Sequence, residues 1–235
     1  MQMQYKYCCK YVIVNEINAK AESVESAERA EKRKIKMIKY MILKEEEIDR
    51  KLFCGFIRHQ VVDQCLRREN NKWVVRSDPF VDDWTEEDYQ TLIGCLRNTA
   101  HTDGFVYGAF LNDVLKGFVS VERGFFGGEN LYYDLSSLHV SEDMRRKGIG
   151  KELFLAAAEW ARKQGAKKLY LSSHSAVESQ AFYHSMGCVD AAKYNQKHVE
   201  EEPYDRQLEY VLDFLEENFM SVSSGLCVMP VWGKT

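Results

Sequence analysis

A short basic segment with two glycines lies between a predicted strand and a predicted helix. Its residues are Arg145, Arg146, Lys147, Gly148, Ile149, Gly150 and Lys151. A helix that begins here exposes backbone N–H groups without intrahelical acceptors, and its dipole adds positive potential. Glycine lets the backbone come close to a ligand, and the cationic side chains attract phosphate. The segment therefore predicts a phosphate-binding turn, with a basic surface turn as the alternative.

Two common phosphate motifs do not fit this turn. A dinucleotide-binding fingerprint requires a third glycine where Leu153 stands. A P-loop requires glycine at the position of Arg145 and Ser or Thr at that of Glu152. The remaining pattern is Arg-x-x-Gly-x-Gly, after a strand and at the start of a helix.

A second motif lies downstream, where Ala181-Phe182-Tyr183-His184-Ser185-Met186-Gly187-Cys188 places a tyrosine near the glycine that ends a helix. Together the two motifs resemble the GNAT superfamily of acyl-CoA-dependent N-acetyltransferases. The signature of that family, Arg/Gln-x-x-Gly-x-Gly/Ala, is matched by Arg145, Gly148 and Gly150. The resemblance extends over about residues 37–214 and is most specific over residues 131–188.

The resemblance implies roles for particular residues. The turn Arg145–Lys151 would hold the pyrophosphate of acetyl-CoA on its backbone amides, and the strand Leu138-His139-Val140 would pair with the pantetheine arm. Tyr183 would donate a proton to the departing thiolate. The sequence departs from the family pattern at Ala176, where the family often has Asn, and at Cys188, where it more often has Phe.

Amide formation from a thioester requires a neutral amine, a stabilised oxyanion and a proton for the thiolate. The base is expected on strands beside the predicted cleft, as Glu122 or Asp134, with His139 as a third candidate; an exposed or substrate-orienting role is the alternative for each carboxylate. His139 alternates with Leu138 and Val140, so its side chain points the other way, which favours a buried structural histidine. A backbone N–H near Leu138 or His139 is expected to stabilise the oxyanion.

Several further residues have two interpretations each. His174 either lines the acceptor site or faces solvent, and Tyr132 and Tyr133 either form an acceptor wall or belong to the core. The acidic loop Glu200-Glu201-Glu202 either attracts a cationic substrate or is a solvated charge run. Cys188 has no base near it in sequence, which favours direct attack by the amine over an acyl-enzyme.

The elements that must position these residues alternate in type. In the N-terminal half, the patterns predict a strand from Met37, a helix over 45–61, strands 65–68 and 72–76, a helix from Thr85 to about Arg97, and a hairpin of 105–111 and 114–123. In the C-terminal half, they predict strands 131–140 and 167–172, helices 148–164 and 176–186, and strands near 188–194 and 208–212. A capping box, Ser175–Glu178, is predicted to begin the second of these helices. A strand–helix–strand unit of this spacing implies a parallel pair with a right-handed crossover. The predicted fold class is α/β (an α+β mixed sheet). The resemblance implies a GNAT-like, mostly antiparallel central sheet with a parallel βαβ pair splayed at the acyl-CoA site.

Composition limits the classes of protein and of partner. The 235 residues include 32 Lys and Arg and 36 Asp and Glu, for a net charge of −4, which argues against a nucleic-acid partner. The sequence has no apolar run of the roughly 18 residues that a membrane helix needs. Seven irregularly spaced cysteines fit neither a disulfide scaffold nor a zinc site. We therefore expect a cytoplasmic protein with no metal and no membrane partner.

Three segments are predicted along the chain. Residues 1–36 form a charged, helical N-terminal extension, residues 37–214 a GNAT-like acetyltransferase domain, and residues 215–235 a C-terminal tail. The predicted function is an N-acetyltransferase that moves the acetyl group of its cosubstrate acetyl-CoA to a primary amine of a small, cationic acceptor. A non-catalytic acyl-CoA-binding regulatory module and an interaction helix within residues 1–36 are the alternatives. Strand edges near the C-terminus also leave a homodimer open.

Overall fold

The computed structural model describes residues 38–212 apart from 71, 127 and 129–131, so the predicted segments 1–36 and 215–235 lie outside it. Segments of period-two alternation form its strands, and segments with helical spacing form its helices. The strands are β1 (Lys39–Ile42), β2 (His59–Glu69), β3 (Lys72–Asp83), β4 (Phe105–Leu111), β5 (Val114–Phe126), β6 (Tyr132–Val140), β7 (Lys168–Ser173), β8 (Val189–Asp190) and β9 (Arg206–Val211). The helices are α1 (Glu86–His101), α2 (Ile149–Lys163), α3 (Val177–Ser185) and α4 (Gln196–Glu201).

A mixed sheet with the strand order β1-β4-β5-β6-β7-β9-β8 forms the centre of the described chain. The strands β6 and β7 run parallel, and the other neighbouring pairs run antiparallel. The parallel pairing covers only Tyr132–Asp134 of β6 and Lys168–Tyr170 of β7. Beyond it the two strands separate, and we call the gap between residues 135–140 and 171–173 the fork. This arrangement confirms the predicted mostly antiparallel sheet with a splayed parallel pair.

Helices cover the two faces of this sheet. On one face, the apolar stripe of α2, including Leu153, Phe154 and Ala157, packs on inward residues of β5, β6 and β7. On the other face, the stripe of α1 packs on Phe118 of β5. Burial of an apolar side chain of this size contributes about 1.5–3 kcal/mol, so these contacts fix both helices on the sheet. We call the two surfaces the α2 face and the α1 face.

The helix predicted over residues 45–61 is wrong. The chain forms two short 3₁₀ turns, Glu45–Glu47 and Arg50–Phe53, and then enters β2. A Cβ at Gly55 would lie 2.3 Å from the side chain of Val114, so the backbone passes too close to β5 for a helix that carries side chains there. The apolar residues that suggested the helix, among them Ile48 and Phe53, are buried as core residues in the turns instead.

The strand pair predicted around residues 69–71 is confirmed and is longer than expected. β2 and β3 form a separate hairpin that leans on the start of α3, where the N–H of Leu66 donates to the carbonyl of Ser175 at 2.8 Å. The predicted capping box Ser175–Glu178 is wrong. The N-cap of α3 is Ala176, without a side-chain cap, because the hydroxyl of Ser175 accepts a hydrogen bond from Arg67 at 2.8 Å.

The C-terminal part differs from the predicted strands. β8 has two residues rather than a run to residue 194, and α4 follows it, with Asn195 as its N-cap. The acidic residues Glu200, Glu201 and Glu202 therefore end a helix rather than form a loop. Within the described ranges, every helix is too short or too polar to span a bilayer.

Candidate active site

The predicted phosphate-binding turn leads into the N-terminus of α2. Gly148 is the N-cap residue, and both it and Arg146 adopt the left-handed region, with φ of 83° and 59°. A Cβ at Gly148 would meet nothing within 4 Å, whereas one at Gly150 would lie 3.4 Å from the ring of Phe182. In the described chain the N–H groups of residues 146–151 make no backbone hydrogen bond. The turn therefore presents donors beside open space, as an anion site requires.

The cationic side chains of the turn divide into two groups. Nε of Arg145 donates to the carbonyl of Val140 at 3.4 Å, and Nζ of Lys147 donates to the carbonyl of Asp143 at 2.6 Å. Arg146 and Lys151 are exposed to solvent. The first two side chains brace the turn, and the last two lie where a soluble anion can reach them.

One edge of β6 borders the fork. On the opposite edge, Leu138, His139 and Val140 pair with Val119, Phe118 and Gly117 of β5, respectively. No described strand pairs with the fork edge of residues 135–140. Because consecutive peptide groups of a strand point to opposite edges, one of Leu138 and His139 directs its N–H into the fork. That N–H can bind an extended ligand or an oxyanion.

The side chain of His139 lies on the α1 face, opposite to Leu138 and Val140 as the period-two pattern suggested, and it is half-buried there. It lies 4.8 Å from the ring of Trp84 and 5.3 Å from that of Phe118. Burial, together with the positive charges of Arg58 and Arg145, lowers the pKa of His139 to about 3. A group with this pKa is a poor proton acceptor near neutral pH, which favours a packing role for His139 over a role as the base.

Glu122 and Asp134, the two predicted carboxylates, lie directly opposite each other on β5 and β6. Their pairing, and that of Ser120 with Ser137, require one extra residue in β6, which is a β-bulge. The bulge reverses the alternation, so that Asp134 and His139 share the α1 face although strict alternation would separate them. The structure therefore brings both carboxylates to one face, next to the fork.

His198 of α4 joins this pair, and sequence reasoning missed it. Its Nε2 forms a hydrogen bond with Oδ2 of Asp134, which raises the pKa of His198. Asp134 is 7% exposed, and its Oδ1 has no hydrogen-bond partner among the described residues. Glu122 reaches solvent, and partial burial together with the charge of Asp134 raises its pKa. The pair of carboxylates and the imidazole form what we call the acidic cluster.

Tyr183 lies on α3, on the side of the sheet that carries α2. Its ring packs 5.1 Å from that of Phe182 and 6.3 Å from that of Phe154. Burial is the main reason that the pKa of Tyr183 is raised, and the nearby Asp205 adds to this effect. The hydroxyl forms no hydrogen bond within the described part of the chain. Tyr183 therefore remains a phenol at neutral pH, which is the form that donates a proton.

Cys188 does not have the surroundings of a nucleophile. Its side chain is 2% exposed, and burial raises the pKa of the thiol to about 12. The nearby His184 directs Nδ1 toward the backbone oxygen of Cys188 at 3.1 Å rather than toward the sulfur. A thiol in this state is unreactive, because the thiolate is the nucleophilic form.

The remaining candidates are structural. Tyr132 and Tyr133 are buried in the core, and the hydroxyl of Tyr132 donates to Glu209. His174 accepts a hydrogen bond at Nδ1 from the N–H of Ala176 at 3.1 Å, which holds the turn before α3. Burial lowers the pKa of His174. The described residues contain no group of three His, Cys, Asp or Glu side chains placed to hold a metal ion.

Comparison with known proteins identifies related folds. The model of the acetyltransferase (GNAT) family matches residues 69–188. Nourseothricin acetyltransferase is 19% identical with a TM-score of 0.50, over 74% of this chain and 96% of that one. A protein described as a streptothricin acetyltransferase from Bacillus anthracis, in complex with acetyl coenzyme A, is 17% identical with a TM-score of 0.56, over 76% of this chain and 99% of that one. At these identities the structural likeness shows the fold alone. No curated protein matches the sequence.

Proposed function

The chain belongs to the acetyltransferase (GNAT) family, and from that premise we propose that it transfers the acetyl group of acetyl-CoA to a primary amine of a small, cationic acceptor. Family membership makes the protein an acetyl-CoA-dependent acyltransferase; the amine, the acceptor class and the roles of individual residues are the proposal. We assign the chemistry to residues 37–214. The observation that carries the proposal is the acidic cluster beside the fork, on the face opposite the tyrosine.

The donor fits the turn and the fork edge. The unbonded N–H groups of residues 146–151, and the open space at Gly148, suit a pyrophosphate. The unpaired edge of Leu138-His139-Val140 suits the amide groups of a pantetheine arm. Acetyl-CoA bound in this way supplies an acyl thioester whose carbonyl can meet the N–H of Leu138 or His139. Ala176 contributes no side-chain hydrogen bond to this site.

Different residues around the fork then carry out the separate proton transfers. Glu122 or Asp134 accepts a proton from the ammonium group of the acceptor, and the neutral nitrogen attacks the thioester carbon directly. The N–H of Leu138 or His139 stabilises the oxyanion as the C–N bond forms. The phenol of Tyr183 gives its proton to the thiolate as the C–S bond breaks, and recovers one from the acylated nitrogen. One proton leaves to solvent in each turnover.

The charge of the site favours a cationic acceptor. The acidic cluster contains two carboxylates and one imidazole, so it keeps a net negative charge even when His198 is protonated. A cleft of one sign of charge raises the local concentration of substrates of the opposite sign. An ammonium group beside Glu122 would also reduce the repulsion between the two facing carboxylates.

We expect the purified protein to release free thiol from acetyl-CoA when it is given spermidine or an aminoglycoside, and to release it more slowly with glutamate as the amine. The reason is the negative charge of the acidic cluster, which attracts polycations and repels anions. Thiol release is followed by absorbance, and mass spectrometry then looks for one added acetyl group on the amine. Thiol release without any acetylated amine, or equal rates with spermidine and glutamate, would contradict the proposal.

A further inference from the structure

His198 connects α4 to the sheet at the point where the two carboxylates face each other. Its Nε2 meets Oδ2 of Asp134, and its ring lies 5.8 Å from that of Tyr170 on β7. The side chain of His198 is 23% exposed, and that of Asp134 is 10% exposed. The contact is therefore a partly buried link between α4 and the first residues of β6, rather than a fully exposed surface ion pair.

The two carboxylates differ in what can reach them. One oxygen of Asp134 is occupied by His198, and the other is buried without a partner among the described residues. Glu122 is exposed to solvent. A molecule that arrives from solution therefore reaches the carboxylate of Glu122 more readily than that of Asp134. The geometry separates a reacting carboxylate from a supporting one.

The imidazole of His198 affects the ionisation of Glu122 through its charge. Carboxylates directly opposite on antiparallel strands repel each other, and this repulsion favours a proton on one of them. The positive charges of His198 and of Lys197, which is on the same helix, have the opposite effect, because they lower the pKa of Glu122. His198 in turn interacts electrostatically with four carboxylates. They are Glu122 and Asp134 in the sheet, Glu201 in α4, and Asp205 ahead of β9.

We propose that His198 is a positioning residue, which holds Asp134 in place and keeps Glu122 ionised as the base that the acceptor ammonium meets. This inference rests on the proposed function and deepens it, because it assigns the two carboxylates separate roles. Asp134 supports the imidazole, the imidazolium charge stabilises the carboxylate of Glu122, and Glu122 receives the proton. α4 is then part of the acceptor side of the fork.

His198→Gln tests this arrangement, since the amide of glutamine can still donate to Asp134 but carries no charge. Loss of the nearby cation is expected to raise the pKa of Glu122 by about one unit, measured by carboxyl ¹³C NMR on the full chain. With spermidine, the acid limb of kcat/KM is expected to move about one unit to higher pH, so the rate falls by up to about tenfold at pH values below the pKa of Glu122 and much less above it. The KM for acetyl-CoA is expected to stay the same.

His101→Gln is the matched control, because His101 forms the same kind of pair with Glu45 at 2.9 Å on the surface. It is expected to leave the titration of Glu122 and the kinetics unchanged. An identical titration of Glu122 in the wild type and His198→Gln overturns the inference, whatever the activity. A shift of that titration in a protein that acetylates no amine supports the electrostatic role of His198 and overturns the proposed function instead.

Discussion

Glu122→Gln is expected to lower kcat about 10³-fold while the affinity for acetyl-CoA stays unchanged. Glutamine keeps the size of the side chain but cannot accept a proton, and general base catalysis contributes on the order of 10²- to 10⁴-fold. The carboxylate must be ionised to act, so the wild-type kcat/KM should fall as pH drops through the raised pKa of Glu122. That acid limb should be absent from the variant, and steady-state thiol release as a function of pH measures both effects.

Glu46→Gln is the control for the loss of one carboxylate, because Glu46 is exposed in a 3₁₀ turn that contributes nothing to the fork. It should show wild-type kinetics. A rate for Glu122→Gln within about twofold of the wild type would contradict the assignment of Glu122 as the base, since a lost base costs far more.

Tyr183→Phe is expected to lower kcat about 10²-fold, because the departing thiolate loses its proton donor. The ring keeps its contacts with Phe154 and Phe182 in the variant. The hydroxyl bonds to no other described residue, so thermal stability should change little. Stopped-flow or steady-state thiol release gives the rate, and calorimetry gives the affinity for acetyl-CoA, which should be unchanged.

Tyr107→Phe provides the comparison for Tyr183→Phe. Tyr107 is a half-buried tyrosine that stacks on Phe105 at 5.2 Å, away from the fork. Its loss of a hydroxyl should leave the rate unaltered. If Tyr183→Phe also turned over at the wild-type rate, water or another group would have to protonate the thiolate, and Tyr183 would be only a packing residue.

Local patterns were sufficient for the elements that carry the donor site. The apolar stripe of α2 repeats at helical spacing, and Gly148 stands directly before its first residue, so the helix and its N-terminus could be predicted. The β4–β5 hairpin turns at Asn112 and Asp113, whose φ values of 51° and 61° are ones that these residue types tolerate. Such features depend on residues close together in sequence.

Features that depend on distant contacts could not be predicted. Ile48, Phe53 and Phe56 have the spacing of a helix, but their environment is set by β5, which passes close to Gly55. α4 has six residues, too few for a periodic signal, so its histidine was overlooked. The only local signal was Asn195, a residue type that favours the N-cap position of a helix.

The acidic cluster shows the same limit. Glu122 and Asp134 could be selected as carboxylates on strands beside the cleft, but their direct pairing depends on the bulge in β6. A bulge is a property of two strands in register, and one strand alone does not reveal it. The partner of Asp134 is 64 residues away in sequence.

The central claim is that the turn before α2 holds the acyl donor at the fork. Calorimetric titration with acetyl-CoA tests this claim most directly. Gly148→Glu is the paired variant, because it places an anion beside the unbonded N–H groups and a side chain at a φ of 83°. We predict saturable binding to the wild type and no measurable heat with the folded variant. No binding to a folded wild type, or equal binding to both proteins, would contradict this account of the site.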